Sequence, residues 1–214
     1  MRVSVPDLDG VDTPAAGVVV TFLPYDRDRI LADLEEQAEP RPHTEELDSL
    51  FRLFRTPYAA YVRASERART TQRLRDSLLA VRGADDAEVR ALADSATRID
   101  HELATTRAAL DAVRDSVGPV IARLRDDSRQ WEDTTYREFR RLARNAGRGF
   151  FARPFADTTN AGGWSSIRLV GRTWWVTARA LDPIDPNSEW YWNVPLGRDT
   201  LYLDSRTGRH RPRY

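Results

Sequence analysis

The apolar positions between Val89 and Trp131 follow a heptad pattern, with alternating steps of three and four residues. Only Thr106 and Asp127 are polar in this series, whose members are Val89, Leu92, Ala96, Ile99, Leu103, Thr106, Leu110, Val113, Val117, Val120, Leu124, Asp127 and Trp131. A 3.5-residue apolar period of this length predicts a long helix that packs along a partner helix.

A turn signal just before this series supplies the partner from the same chain. Gly83 suits the position that follows a helix, and an Asp in the next three residues suits the N-cap of a second helix. If the chain folds back here, residue i lies opposite roughly residue 169 − i, which predicts one antiparallel hairpin. The facing segments are then 44–82 with 87–125, and the short amphipathic stretch 26–38 with 131–143.

Prolines qualify these helices. Pro40 and Pro42 must separate the short stretch from the next helix, for which Thr44 is a suitable N-cap. Pro57 is expected to kink the outgoing helix. The heptad register continues across Pro119, so we predict a kinked but continuous return helix there.

In the segments on either side of the helical region, apolar and polar residues alternate with the two-residue period of β-strands. We predict strands at Arg2–Val5, Gly17–Leu23, Trp164–Val170, Thr173–Ala180, Trp190–Val194 and Thr200–Asp204. The arginine-rich end of the chain, after Asp204, is expected to fray. The fold class is therefore α+β: a discontinuous β domain (1–25 plus 148–214) with an inserted helical hairpin arm (26–147).

Composition narrows the function classes. Charged residues make up 31% of the chain, with 33 basic and 33 acidic residues, and every basic residue is Arg. A balanced, interspersed charge gives no field that would draw the chain to nucleic acid, so we expect none to bind. The absence of cysteine excludes disulfides and thiolate chemistry.

No apolar run near the start is long enough for a bilayer span or a signal-peptide core. We expect an exported protein (periplasmic, lipoprotein or cell-surface) whose signal has been removed, with a cytoplasmic location left open.

Two β segments resemble one known family. The stretch Val3-Ser-Val-Pro-Asp-Leu-Asp-Gly10 followed by Pro14-Ala-Ala-Gly-Val-Val-Val-Thr-Phe-Leu23 is similar to the opening of carboxypeptidase-regulatory-like domains. The later stretches Asp157–Gly163, Ile167–Leu169 and Gly171–Ala178 resemble the next part of that pattern. The likeness covers about 75 residues in two pieces. It implies a small antiparallel, transthyretin-like (prealbumin-like, CnaB-related) β-sandwich that is not catalytic, with no catalytic or cofactor-binding residues to carry over and no cofactor.

The acidic turn near the start has two interpretations. Asp7, Asp9 and Asp12 surround Gly10, as oxygen ligands do in a calcium loop, but no bidentate Glu follows at the required distance. Asp and Gly also favour tight turns. We favour the turn and predict no metal, with calcium as the alternative.

The aromatic strands carry the candidate contact residues. Alternation directs Trp174, Trp190 and Trp192 to one face, which we assign to the core, and Trp175 and Tyr191 to the other. The outward pair would dock the base of the helical arm, or instead stack on a sugar or peptide.

Catalytic groups are sparse. His43, His101 and His210 share no spacing of a metal or catalytic set, and we expect them to be solvated. An enzyme built on Asp182, Asp185 and Glu189 is the weakest hypothesis. The leading one is a non-enzymatic accessory protein that contacts a protein partner through its arm, with a homodimer left open because Thr106 weakens the seam. The alternative is a carbohydrate- or peptide-binding module that uses the Trp-rich strands.

Overall fold

The computed structural model describes residues 1–148, 154–168, 174–197 and 200–213. The chain is α+β, as the sequence predicts, and its two long helices are joined as a hairpin. The helices are α1 (Arg27–Glu35), α2 (Thr44–Arg82), α3 (Ala87–Thr135) and α4 (Phe139–Arg148). The strands are β1 (Arg2–Pro6), β2 (Asp12–Pro14), β3 (Val19–Leu23), β4 (Phe155–Thr158), β5 (Trp175–Leu181), β6 (Ser188–Pro195), β7 (Tyr202–Leu203) and β8 (Arg209–Pro212).

The hairpin turn forms as its residues predict. Gly83 has a φ of 81°, in the left-handed region that glycine adopts without a steric penalty. The carboxylate of Asp86 then accepts hydrogen bonds from the backbone N–H groups of Glu88 (2.8 Å) and Val89 (3.4 Å), which caps α3. The turn therefore ends one helix and starts the next with local side chains alone.

One contact between the two long helices agrees with the predicted rule that residue i lies opposite roughly residue 169 − i. Arg67 of α2 forms an ion pair with Glu102 of α3, the residue that the rule places opposite it. The helices run through Pro57 and Pro119 without interruption, and α2 begins at Thr44 after the two-proline break. The prediction of continuity at Pro119 is confirmed.

The heptad series ends earlier than the sequence suggests. Positions from Val89 to Leu124 are buried or half-buried, but Asp127 is exposed and its neighbour Ser128 is fully buried. An α-helix has 3.6 residues per turn and drifts away from a strict 3.5 repeat. Near Leu124 the buried side of α3 consequently passes to the next residue.

The strands form two sheets. The smaller has the order β2-β1-β7 and the larger β4-β3-β5-β6-β8, and every pairing except β1 with β7 is antiparallel. One apolar core draws on both sheets: Val3 and Leu203 come from the smaller, and Phe22, Val176 and Trp192 come from the larger. All five of these side chains are fully buried.

The strands of the structure differ from the predicted ones in several places. The arginine-rich end does not fray, because residues 209–212 pair with Ser188–Tyr191 as the edge strand β8. Trp164 makes only an isolated bridge to Arg2, residues 165–168 form no strand, and the rest of that predicted strand lies outside the described residues. Phe155–Thr158 forms an unpredicted strand beside β3.

Packing divides the chain into two compact units. One, which we call the β unit, contains Met1–Glu45 and Arg123–Tyr214; the other, the hairpin unit, is Glu46–Ala122. The β unit therefore includes α1, α4 and the adjoining ends of the long helices. None of the described helices combines the length and the apolar composition needed to cross a bilayer.

Candidate functional site around Tyr191

Tyr191, on β6, belongs to the outer face of the larger sheet, the face opposite the apolar core. In register it stands beside Arg179 of β5 and Arg209 of β8. Strand alternation sends its neighbours Trp190 and Trp192 to the core side, where Trp192 is fully buried. Tyr191 has the outward direction that the sequence predicts, yet it is 0% exposed.

The N-terminus of α1 covers this tyrosine. The phenol donates a hydrogen bond to Asp28 (2.5 Å) and accepts one from Nη1 of Arg27 (3.3 Å). Asp26, the N-cap of α1, accepts a hydrogen bond from the amide of Asn193 on the same strand at 2.7 Å. Burial, followed by the hydrogen bond to Asp28, raises the pKa of Tyr191 above its usual value. Tyr191 and Asn193 therefore fix the first turn of α1 to the sheet.

Guanidinium groups surround the ring of Tyr191. The Cζ atoms of Arg211, Arg209 and Arg179 lie 3.8, 5.3 and 5.7 Å from the ring centroid, within the range of cation–π attraction. Arg209 also pairs with Asp28. The strands β5 and β8 thus bring positive charge to one aromatic ring.

Glu189 is the carboxylate nearest to these arginines on the sheet. Its Oε1 accepts hydrogen bonds from Nε (3.0 Å) and Nη2 (2.8 Å) of Arg211. The Nε of Arg179 is 3.9 Å from the same oxygen, too far for a hydrogen bond. Burial, opposed by Glu189 and reinforced by the charges of Arg211 and Arg27, lowers the pKa of Arg179.

A cavity of about 700 Å³ opens beside this cluster. Its other wall comes from α1, α4 and the end of α3, where Tyr136 donates a hydrogen bond to Glu35 and Arg41 pairs with Glu132 at 2.6 Å. Burial and the bond to Glu35 raise the pKa of Tyr136 to about 12. Guanidinium groups do not give up protons near neutral pH, so this arrangement can hold anions but is poorly suited to proton transfer.

Trp175, the other predicted contact residue, lies apart from this cluster. It is half-buried on the same face as Tyr191, but its register partner on β6 is Pro195, four residues further along the strand. That offset corresponds to about 13 Å at 3.3 Å per residue. Tyr191 is also fully buried, whereas Trp175 is only half-buried, so the two aromatics do not form one exposed surface.

The acidic turn has the geometry of a turn. Asp7 Oδ1 accepts hydrogen bonds from the backbone N–H groups of Asp9 and Val11, both at 3.0 Å, and Gly10 has a φ of 78°. Asp12 instead accepts the hydroxyl of Ser205 at 2.7 Å. Across the described ranges, no three His, Asp or Glu side chains come together as a metal-binding group.

The carboxylates of the enzyme hypothesis have structural partners. Asp182 accepts hydrogen bonds from the N–H groups of Ile184 and Asp185, and Asp185 accepts them from the N–H group of Asn187 and the hydroxyl of Ser188. Each therefore organises the loop between β5 and β6.

Two of the three histidines lie beside a carboxylate. His210 Nε2 lies 2.6 Å from Asp182 and its ring 5.1 Å from that of Trp190, while His43 lies 3.1 Å from Asp127. Both side chains are nevertheless exposed, which agrees with the expectation of solvated histidines. His101 is exposed, as expected.

Sequence reasoning missed the arginines that dominate this site. Arg209, Arg211 and Arg213 occupy every second position, which is the two-residue period of a strand. This spacing is the signal from which an edge strand could have been predicted. A second omission is the exposed aromatic pair of Trp164 and Tyr202, whose ring centroids lie 6.4 Å apart.

Comparisons with models of known families, with curated proteins and with solved structures found no match for this chain.

Proposed function

We propose that this chain is a non-enzymatic, exported binding protein that contacts a protein partner through its helical arm. In this proposal the strands form a transthyretin-like β-sandwich that carries the arm. Support for the sandwich comes from the single apolar core, to which both sheets contribute buried side chains.

The observation that carries the proposal is a patch of exposed apolar side chains at the end of α2. Leu74, Leu79 and Val81 are 49%, 42% and 81% exposed. No other helix, within its described residues, exposes a comparable group, and α3 exposes no large apolar side chain along its whole length. Leu74 and Val81 lie on one face of α2 with the half-buried Leu78 between them, whereas Leu79 lies on another face, so we call Leu74, Leu78 and Val81 the tip patch.

The spacing of the tip patch suits a helical or grooved protein surface. Leu74, Leu78 and Val81 follow the i, i+4, i+7 pattern of a helix face, and Leu78 is half-buried. Contiguous exposed apolar groups on a charged helix favour a protein–protein contact. The patch directly precedes the turn at Gly83. In sequence, this turn is the part of the hairpin unit that is farthest from the residues of the β unit.

Site-specific photocrosslinking in the native cell tests this proposal. A photoreactive residue at position 81 should give one major adduct, identified by mass spectrometry, whereas position 98 on α3 should give little. Leu74→Ser should reduce the adduct about tenfold or more, because burial of one leucine contributes about 1.5–3 kcal/mol. The wild-type residue at position 98 is exposed, so it is a matched control.

The outcomes separate the alternatives. An adduct with a second copy of the chain would identify the partner as a homodimer. Equal crosslinking from positions 81 and 98, or no effect of Leu74→Ser, would contradict a specific contact at the tip patch.

A carbohydrate- or peptide-binding module is the second candidate, and it is favoured by one observation. Burial removes Tyr191 from use as a stacking surface, but Trp164 and Tyr202 are about half exposed, and the guanidinium of Arg2 lies 5.7 Å from the Trp164 ring. Glycan-array binding that is lost in Trp164→Ala and retained in Trp175→Ala would support this function. Binding unaffected by Trp164→Ala would exclude this pair.

A further inference from the structure

The arginine-lined cavity has more positive charge than its own carboxylates can balance. Its lining has six arginines and three glutamates, all from the β unit. The arginines are Arg27, Arg41, Arg140, Arg179, Arg211 and Arg213. A cavity of about 700 Å³ is within the usual range for small-molecule sites of about 300–1,000 Å³.

The three glutamates already have partners within the cavity wall. Glu132 accepts a hydrogen bond from Arg41, Glu189 accepts two from Arg211, and Glu35 accepts one from the phenol of Tyr136. Each of these contacts uses carboxylate lone pairs that another arginine would need. The excess positive charge therefore resides on the other guanidinium groups.

Three of those groups have little or no anionic compensation. Arg140 has no ion pair or hydrogen bond to another side chain of the described residues, and Arg27 contacts only the Tyr191 hydroxyl and, at 5.8 Å, the ring of Phe139. Arg179 is 52% exposed, and its one ion-pair contact, at 3.9 Å, is to the oxygen that Arg211 occupies.

Arg179 lies among other positive charges. Burial lowers the pKa of Arg179, Glu189 opposes this effect, and the nearby charges of Arg211 and Arg27 add to it. An oxyanion between such groups would accept charge-assisted, planar hydrogen bonds from their forks. The walls also offer Leu31, Phe139 and Tyr136 to an apolar or aromatic ligand body.

We propose that this cavity binds a small ligand through an oxyanionic group, a phosphate or a carboxylate, held by Arg140 and Arg179 with Arg27 beside them. The two chemistries share the same recognition by guanidinium forks. This site is independent of the tip patch, so the failure of either proposal leaves the other standing.

Equilibrium dialysis of the purified full chain tests the proposal with inorganic phosphate and, separately, citrate, at constant ionic strength set with chloride. At least one anion should bind saturably at one site per chain. Arg140→Gln and Arg179→Gln should each weaken binding about tenfold or more, because each removes a charge-assisted contact.

Arg144→Gln is the matched control. Arg144 lies one turn after Arg140 on α4, is exposed and does not line the cavity, so its substitution should change the dissociation constant less than about twofold. Arg140 is itself exposed and pairs with no side chain in the described part of the chain, so Arg140→Gln should retain the fold, which circular dichroism checks. If Arg179→Gln unfolds, the comparison of Arg140→Gln with Arg144→Gln decides alone.

Each outcome has a defined meaning. Saturable binding of phosphate but not citrate supports a phosphorylated ligand, and the reverse supports a carboxylate. Absence of saturable binding of both anions overturns the proposal. Equal losses in Arg140→Gln and Arg144→Gln also overturn it, because they would indicate only general attraction to a basic surface.

Discussion

The two units contain equally balanced charges but arrange them differently. The hairpin unit, 46–122, has 12 Arg and 12 acidic residues, and the rest of the chain has 21 of each. In the hairpin unit the pairs are mostly local and exposed, as between Arg69 and Glu66 or Arg114 and Asp111. In the β unit several pairs join distant segments, as Arg209 of β8 joins Asp28 of α1 and Arg41 joins Glu132. Net charge therefore says nothing about where a charged ligand can bind, whereas the segregation of charges does.

The apolar side chains differ in the same way. The β unit concentrates its core in a few large groups, among them Trp192 and Phe22, while the hairpin unit spreads single side chains such as Val89 and Leu110 along a seam. A compact core should therefore depend more on any one residue than a linear seam does. Four substitutions test this difference, from the largest expected effect to the smallest.

Trp192→Ala should have the largest effect. Trp192 is fully buried, its Nε1 donates to the backbone oxygen of Asp204 at 2.9 Å, and Gly208 packs directly against it. We expect a loss of about 3–5 kcal/mol in the free energy of unfolding of the β unit. Hydrogen exchange should show lost protection in the strands while residues 46–122 keep theirs. Equal loss in both units would contradict the comparison, and half-buried Trp175→Ala is the control.

Leu110→Ala should have a smaller effect, in the hairpin unit. Leu110 is buried on the α3 seam, but a seam can close partly around a missing side chain. We expect a loss of about 2 kcal/mol, at the low end for buried leucines, measured by urea denaturation. The control, Leu74→Ala on the exposed tip patch, should change stability by less than about 0.5 kcal/mol. A loss at Leu110 as large as that at Trp192 would remove the distinction between core and seam.

Asp204→Asn should destabilise the β unit in a pH-dependent way. Burial would raise the pKa of Asp204, but hydrogen bonds from the Arg206 side chain and from the N–H groups of Thr207 and Arg206 outweigh it and lower the pKa. A folded-state pKa below the unfolded one means that the stabilisation is complete at neutral pH and is lost as the pH falls through the folded-state value.

We expect a loss of about 1–3 kcal/mol at pH 7 in Asp204→Asn, shrinking in acid below the usual pKa of aspartate. Urea midpoints of both proteins from pH 2 to pH 7 provide the measurement. A difference that is constant over this range would show that the charge of Asp204 contributes nothing. Exposed Asp76→Asn serves as the control.

Arg67→Ala should have the smallest effect. Both partners of the Arg67–Glu102 pair are about half exposed, so solvent screens the attraction. The expected loss is below about 0.5 kcal/mol by urea denaturation, and a loss above about 1 kcal/mol would show that the two arms depend on cross-arm charge.

The hairpin was the more predictable region, because its information is local and periodic. The heptad series from Val89 to Leu124 repeats every three or four residues, and Gly83 and the capping Asp86 stand just before it. The edge strand β8 was not predictable in this way. Its identity depends on pairing with β6, and the charges of Arg209 and Arg211 are balanced by Asp28 and Glu189 from remote segments.

The candidate site shows the same division. Strand alternation correctly put Tyr191 on the face away from the core, but alternation cannot reveal that α1 covers it. It also cannot give the register that separates Trp175 from Tyr191.

The sequence by itself determined the α+β class, the two long helices, the turn between them and the faces of the aromatic strands, because periodicity and capping act over one or two turns of chain. Only the tertiary structure decided which charges meet. Arg27, Arg140, Arg179 and Arg211 come from four different elements, and the cavity that they line exists because α1 and α4 lie over one sheet face. Coulomb interactions depend on distance in space, and distances between remote segments are set by the fold as a whole.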